Sequence, residues 1–211
     1  MSDIFTTLVE SHVECSFETF YQTFQIENQQ LWADFSANRI DKRYLREQRF
    51  LRTFLKLQVD IPELVPMAEE AFVGQMPLQN RLFPGAREVL ETLKQNYTLH
   101  ILSNGFEEAQ ENKLVQSGIR HCFQQVITSD LAGYRKPSRE IFQFALARAG
   151  ASERESLMIG DDPFVDADAA RKCGMSAILF NTSGIDHPFE DIPQINSLPE
   201  LLPLLKEFEE R

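Results

Sequence analysis

The 211-residue chain is 43% hydrophobic and 25% charged, enough apolar material for one large domain or for a core domain with a smaller appendage. Its net charge of −11 disfavours non-specific binding to nucleic acid or to an anionic membrane. Cys15, Cys122 and Cys173 lie far apart without CxxC spacing, which argues against a disulfide framework or a zinc site and fits a reducing cytoplasm. The start Met-Ser-Asp-Ile-Phe has no basic region followed by an apolar run, and no stretch reaches the roughly 20 apolar residues of a membrane span. The expectation is a cytoplasmic protein.

Residues 1–82 read as helical. Phe17, Phe20, Tyr21, Phe24, Leu31, Trp32 and Phe35 recur at three- and four-residue spacing, which predicts one long helix with an aromatic stripe in its core. Asp41 is placed to cap a second helix through Leu45, Phe50, Leu51, Phe54 and Leu55. A third helix is expected over 61–73, with Pro62 in its first turn.

From residue 83 the rhythm alternates helix and strand. Helices are expected at 86–95, 107–117, 137–149, 165–173 and 198–209, and strands at 97–102, 125–128, 156–159 and 176–181. Pro137 is expected to start its helix and Gly150 to close it. Four strands with intervening helices predict an α/β fold, a parallel sheet with right-handed crossovers and helices on both faces. Glu88, Glu91 and the terminal Glu207-Phe208-Glu209-Glu210 read as solvated helix faces. His12, His100, His121 and His187 are scattered without a triad-like pattern.

Three strand ends carry polar signals: Ser103-Asn104-Gly105, Lys136-Pro137, and Gly160-Asp161-Asp162 with Asp166. Ser-Asn-Gly is a common turn, and Asp162 and Asp166 are each able to cap a helix. All three nevertheless fall on the carboxyl edge of one expected sheet, where open α/β folds place ligands. A phosphoryl group held there needs hydrogen-bond donors, which Ser103 Oγ and nearby backbone N–H groups can supply. It needs a fixed cation, for which Lys136 is suited. It also needs Mg²⁺, for which Asp161 and Asp166 offer hard oxygen ligands.

This constellation resembles the haloacid dehalogenase-like (HAD) superfamily of hydrolases. Ser103 matches the second family motif, Lys136 the third, and Asp161 with Asp166 the fourth; "LHILSNGF", "RKPSREIFQFAL" and "SLMIGDDPFVDADAA" look like the pyrimidine 5′-nucleotidase branch. The resemblance implies a Rossmann-like core over 83–211, an all-helical cap within 1–82, and a small phosphorylated metabolite as substrate. Ser103 and Lys136 would be catalytic, and Ser103, Asn104, Gly105 and Lys136 would bind the substrate. Mg²⁺ would sit on Asp161 and Asp166.

The family's first strand ends in Asp-x-Asp-x-Thr, with the nucleophile as its first Asp. Asp3-x-Phe5-x-Thr7 imitates that spacing, but two preceding residues cannot form a buried strand, and we read the match as coincidence. The chain is therefore expected to lack that strand, which the family places mid-sheet, leaving two strand edges unpaired. Three functional readings follow. The first is a Mg²⁺-dependent phosphatase of small phosphomonoesters such as nucleoside 5′-monophosphates, working through an aspartyl-phosphate. The others are a non-catalytic phosphate- or nucleotide-binding protein and a 2-haloacid dehalogenase using Asp3.

Overall fold

Ser16 starts the long helix of the N-terminal third: its hydroxyl accepts the Thr19 N–H at 3.2 Å, satisfying one of the donors a helix start leaves unpaired. The structure, a computed structural model, describes residues 1–75, 80–182 and 184–209 and divides into two units, Met1–Gln79 and Asn80–Arg211. The side chains of the Glu207–Glu210 run lie outside the described residues.

The first unit is helical. It comprises α1 (Ser2–Ile4), a π-helical turn Phe5–Val9, a 3₁₀ turn Glu10–His12, α2 (Phe17–Ser36), α3 (Lys42–Lys56) and α4 (Leu64–Gln75). Asp41 caps α3 by accepting the Tyr44 N–H at 2.8 Å. The expected third helix begins later than its apolar pattern, at Leu64, so Pro62 precedes it and only lends its carbonyl to the Val65 N–H. The aromatic stripe turns inward. Phe20 and Phe24 bury against Phe50 and Phe54, with ring centroids 5.0 Å apart for Phe24–Phe50 and 6.5 Å for Phe20–Phe54. Each such side chain contributes about 2–3 kcal/mol by leaving water. Arg49, 1% exposed, is tolerated in this core because Glu69 takes its guanidinium in a fork of two 2.6 Å bonds and its charge lies 4.6 Å over the Phe72 ring.

The second unit alternates α5 (Ala86–Leu93), β1 (His100–Ser103), α6 (Glu107–Gln116), β2 (Gln125–Thr128), α7 (Ser129–Ala132), α8 (Arg139–Ala149), β3 (Leu157–Gly160), α9 (Ala169–Lys172), β4 (Ser176–Phe180), β5 (Gln194–Ile195) and α10 (Leu201–Glu209). All pairings are parallel, with helices crossing over between β1 and β2 and between β3 and β4. Three expectations need correcting. The strands number five among the described residues, because the two-residue β5 is too short to show a period. They form two sheets, β1-β2 and β3-β4-β5, rather than one, so β1 and β3 each keep an edge that pairs with no described strand. Pro137 lies ahead of α8, whose N-cap is Ser138; Gly150 does close the helix, with a left-handed φ of 65° that glycine adopts without strain.

One apolar cluster nevertheless joins the two sheets. Leu102 of β1 packs against a core that includes Met158 of β3, Leu179 of β4, and Ile141 and Phe142 of α8. Their carboxyl ends therefore stay together, and the polar residues that follow them share one neighbourhood. No described helix is long and apolar enough to cross a membrane.

Candidate active site

The loop after β1 is pinned from two sides. Ser103 Oγ accepts the Gly105 N–H at 2.9 Å, a short turn closed by the side chain. Ser129, at the start of α7, donates its hydroxyl to the Asn104 carbonyl at 3.2 Å. The Asn104 side chain then reaches Lys136: its Nδ2 donates to the Lys136 carbonyl and its Oδ1 accepts the Lys136 N–H, both at 2.8 Å. One amide thus satisfies both backbone polar groups of a residue that no sheet ladder pairs.

Fixed in this way, the Lys136 side chain runs inward to Asp166. Nζ donates to Asp166 Oδ1 at 2.5 Å, and the two residues are 8% and 3% exposed. An ion pair this dry stands only because each charge neutralises the other; removing one partner from such a pair costs about 3–5 kcal/mol. The second Asp166 oxygen, Oδ2, accepts the Asp162 N–H at 3.2 Å. Asp162 does the capping: its Oδ1 accepts the N–H groups of Phe164 and Val165 at 2.9 and 2.8 Å. Of the two acids able to cap, Asp162 caps and Asp166 faces the lysine.

Gly160 makes this geometry possible. A Cβ at that position would lie 2.3 Å from Asp166 Cβ and 2.4 Å from its Oδ2, so any other residue would displace the carboxylate. Asp161, next along, is exposed as a residue, yet its carboxyl is pushed above the ordinary aspartate range. The cause is first the loss of hydration against the surrounding protein and then the negative charge of Asp166.

Two carboxylates that repel one another, with hard oxygens and one side open, have the donor chemistry for Mg²⁺. Asp161 is the carboxylate with lone pairs to offer, whereas Asp166 already accepts from Lys136 on Oδ1 and from the Asp162 N–H on Oδ2. The predicted residues therefore divide by what they touch. Lys136 and Asp166 are in direct contact, Asn104 holds Lys136, and Asp161 is coupled to Asp166 by charge. Ser103 and Gly105 form one turn on the strand end. Gly160 and Ser129 carry no signal for this role in the sequence, beyond the position of Gly160 directly before two acids.

The family model described as haloacid dehalogenase-like hydrolase matches residues 3–174. Pyrimidine 5′-nucleotidase YjjG of Escherichia coli is 30% identical over 188 residues, covering 88% of this chain and 82% of that protein. Pyrimidine 5′-nucleotidase PynA of Streptococcus pneumoniae is 25% identical over 205 residues, covering 95% and 85%. The solved structure of the HAD-hydrolase YfnB of Bacillus subtilis, bound to magnesium, shares the fold with a TM-score of 0.83 at 23% identity, over 97% of this chain and 88% of that one. A match that runs through both units and across all three strand-end motifs leaves one assignment: the chain belongs to the haloacid dehalogenase-like hydrolase family.

Proposed function

We propose that the protein is a Mg²⁺-dependent phosphatase of small phosphomonoesters, with nucleoside 5′-monophosphates as the substrate class. The observation that carries this reading is the placement of Lys136. It is held by Asn104 from the first sheet's edge and by Asp166 from the second's, so that one cation stands where three strand-end motifs meet. The similarity to two pyrimidine 5′-nucleotidases supports the substrate class. The helical unit 1–79 is assigned as the cap subdomain on the same resemblance.

In this scheme Ser103 Oγ donates to a phosphoryl oxygen, with backbone N–H groups of its turn beside it. Lys136 offsets the charge of the phosphate and of the attacking carboxylate. Asp161 and Asp166 hold Mg²⁺, which when bound supplies charge neutralisation on the transferring phosphoryl group. The covalent step is attack of an aspartate on phosphorus with departure of the alcohol, then hydrolysis of the aspartyl-phosphate by water. None of the five described strands ends in such an aspartate: they end in Ser103, Thr128, Gly160, Phe180 and Ile195. The unpaired edges of β1 and β3 are where a parallel strand bearing it would lie.

The second reading is a binding protein that holds a monophosphate on Lys136 and the strand-end turns without cleaving it. Phosphate release from a panel of nucleoside 5′-monophosphates in Mg²⁺ separates the two. Release that falls about a hundredfold or more in Lys136→Ala supports the phosphatase. Calorimetric binding without release supports the binder, and neither binding nor release rejects both. The dehalogenase reading finds Asp3 exposed on helix α1, with Thr7 donating its hydroxyl to the Asp3 carbonyl at 2.6 Å, rather than at a strand end. It stands only if the chain releases halide from a 2-haloacid and Asp3→Asn abolishes that release.

A further inference from the structure

Glu91 does not lie idle on the solvated helix face where its sequence pattern puts it. Its Oε1 is 2.7 Å from His121 Nε2 and accepts the Cys122 thiol at 3.6 Å, while Cys122 Sγ is 3.5 Å from the same His121 nitrogen. Three donors of three kinds, from α5 and from the 3₁₀ turn Arg120–Cys122 ahead of β2, therefore meet at one point. The sulfur is the buried member, Cys122 being 5% exposed, and the imidazole stands on the solvent side. None of the three belongs to the strand-end site.

We propose that Glu91, His121 and Cys122 form a second metal site, for a borderline divalent ion of the zinc type, with a water in the fourth position. The distances carry the argument. Ligands on a tetrahedral zinc, with Zn–S of about 2.3 Å and Zn–N and Zn–O of about 2.0–2.1 Å, stand about 3.6 Å apart for S···N and S···O and about 3.4 Å apart for N···O. The sulfur is already at those separations from both partners. Only the Glu91–His121 hydrogen bond, at 2.7 Å, has to open, by a fraction of an ångström, to admit the ion.

The donor chemistry selects the metal. A thiolate, an imidazole and one carboxylate suit Zn²⁺ or Co²⁺ and not Mg²⁺, whereas the Asp161–Asp166 pair offers oxygen alone. The charges around the cluster act in both directions. Lys94 and His121 hold the Glu91 carboxyl down to about 2, so it is ionised at any working pH. Burial and the Glu91 charge push the Cys122 thiol up, so binding transfers the thiol proton to solvent as the metal–sulfur bond forms. The Lys94 ammonium lies 2.5 Å from the other Glu91 oxygen, Oε2, and its charge opposes the ion. A bound ion would fasten α5 to the turn that leads into β2.

The test is a Co²⁺ titration of the reduced full chain, stripped with chelator and kept in excess Mg²⁺. A thiolate-to-cobalt charge-transfer band that saturates at one equivalent and is erased by Zn²⁺ is the expected result. Cys122→Ser should abolish the band. His121→Ala, on the exposed side, should weaken binding tenfold or more with no change in the circular-dichroism spectrum. Lys94→Ala should tighten binding. Should Cys122→Ser fail to fold, the His121→Ala titration decides. No band in the parent chain overturns the site. A band with unaltered affinity in His121→Ala, or one that survives in Cys122→Ser and so belongs to Cys15 or Cys173, overturns it as well.

Discussion

Asn104 grips the backbone of Lys136, 32 residues further along, by both polar groups at 2.8 Å. The bond pair makes Asn104 a positioning residue: it fixes the direction in which the lysine side chain leaves its loop. Asn104→Ala orphans one N–H and one C=O, and should destabilise the protein by about 1–3 kcal/mol in urea unfolding. It should also weaken Mg²⁺-dependent monophosphate binding. Asn104→Asp keeps the acceptor for the Lys136 N–H and loses the donor, so its effect should fall between parent and Ala. Equal affinity in all three chains would remove the positioning role.

Because Lys136 and Asp166 neutralise one another in a dry setting, their substitutions should be strongly non-additive. Asp166→Asn leaves a buried ammonium unpaired and should cost about 3–5 kcal/mol. The double variant Lys136→Met/Asp166→Asn removes both charges and should recover most of that loss, so its destabilisation should fall well below the sum of the two single losses in a double-mutant cycle. Recovered stability should come without recovered monophosphate binding, since the cation is gone. Additive losses would show that the pair is solvated in solution.

Gly160→Ala changes no charge and no donor, yet the new methyl group would overlap the Asp166 side chain. Crowding of this kind costs about 1–3 kcal/mol. The expected signature is a modest fall in melting temperature together with a weaker Mg²⁺ affinity, read by calorimetry. An unchanged Mg²⁺ affinity would separate Asp166 from the metal.

Burial and the neighbouring Asp166 charge strain Asp161 electrostatically. Its folded-state pKa lies above the unfolded value, so the folded chain binds the proton more tightly. The ionised carboxyl therefore opposes folding above the raised pKa, and that opposition is relieved as pH falls through it. Asp161→Asn should accordingly raise the melting temperature at neutral pH in the presence of chelator, with the gain shrinking in acid. Mg²⁺ should stabilise the parent chain and leave Asp161→Asn nearly unmoved. A variant less stable than the parent in chelator would contradict the assignment of Asp161 as a metal ligand held under repulsion.

Much of this was legible in the chain. Apolar spacing located α2 and α3 because their buried faces repeat at helical period, and the strand-end residues Ser103, Lys136, Asp161 and Asp166 stood out by chemistry and position. What escaped was non-local. The split between β1-β2 and β3-β4-β5 depends on which strands find partners, a property no single segment carries. The clamp of Asn104 on Lys136 joins two loops that are individually ordinary turns. Lys136-Pro137 read as a helix start because proline suits a first turn, yet Ser138 takes the cap. Glu91, His121 and Cys122 gave no signal because ligand motifs are sought at short spacing, and 30 residues separate Glu91 from His121.

The most direct test of the account is isothermal titration of uridine 5′-monophosphate into this chain in Mg²⁺ and again in chelator. The account predicts binding in Mg²⁺ and its loss in chelator, because the carboxylates of Asp161 and Asp166 repel a phosphate that no cation bridges. Binding of equal strength in both buffers, or no binding in either, would contradict the claim that these strand ends form one Mg²⁺-dependent phosphate site.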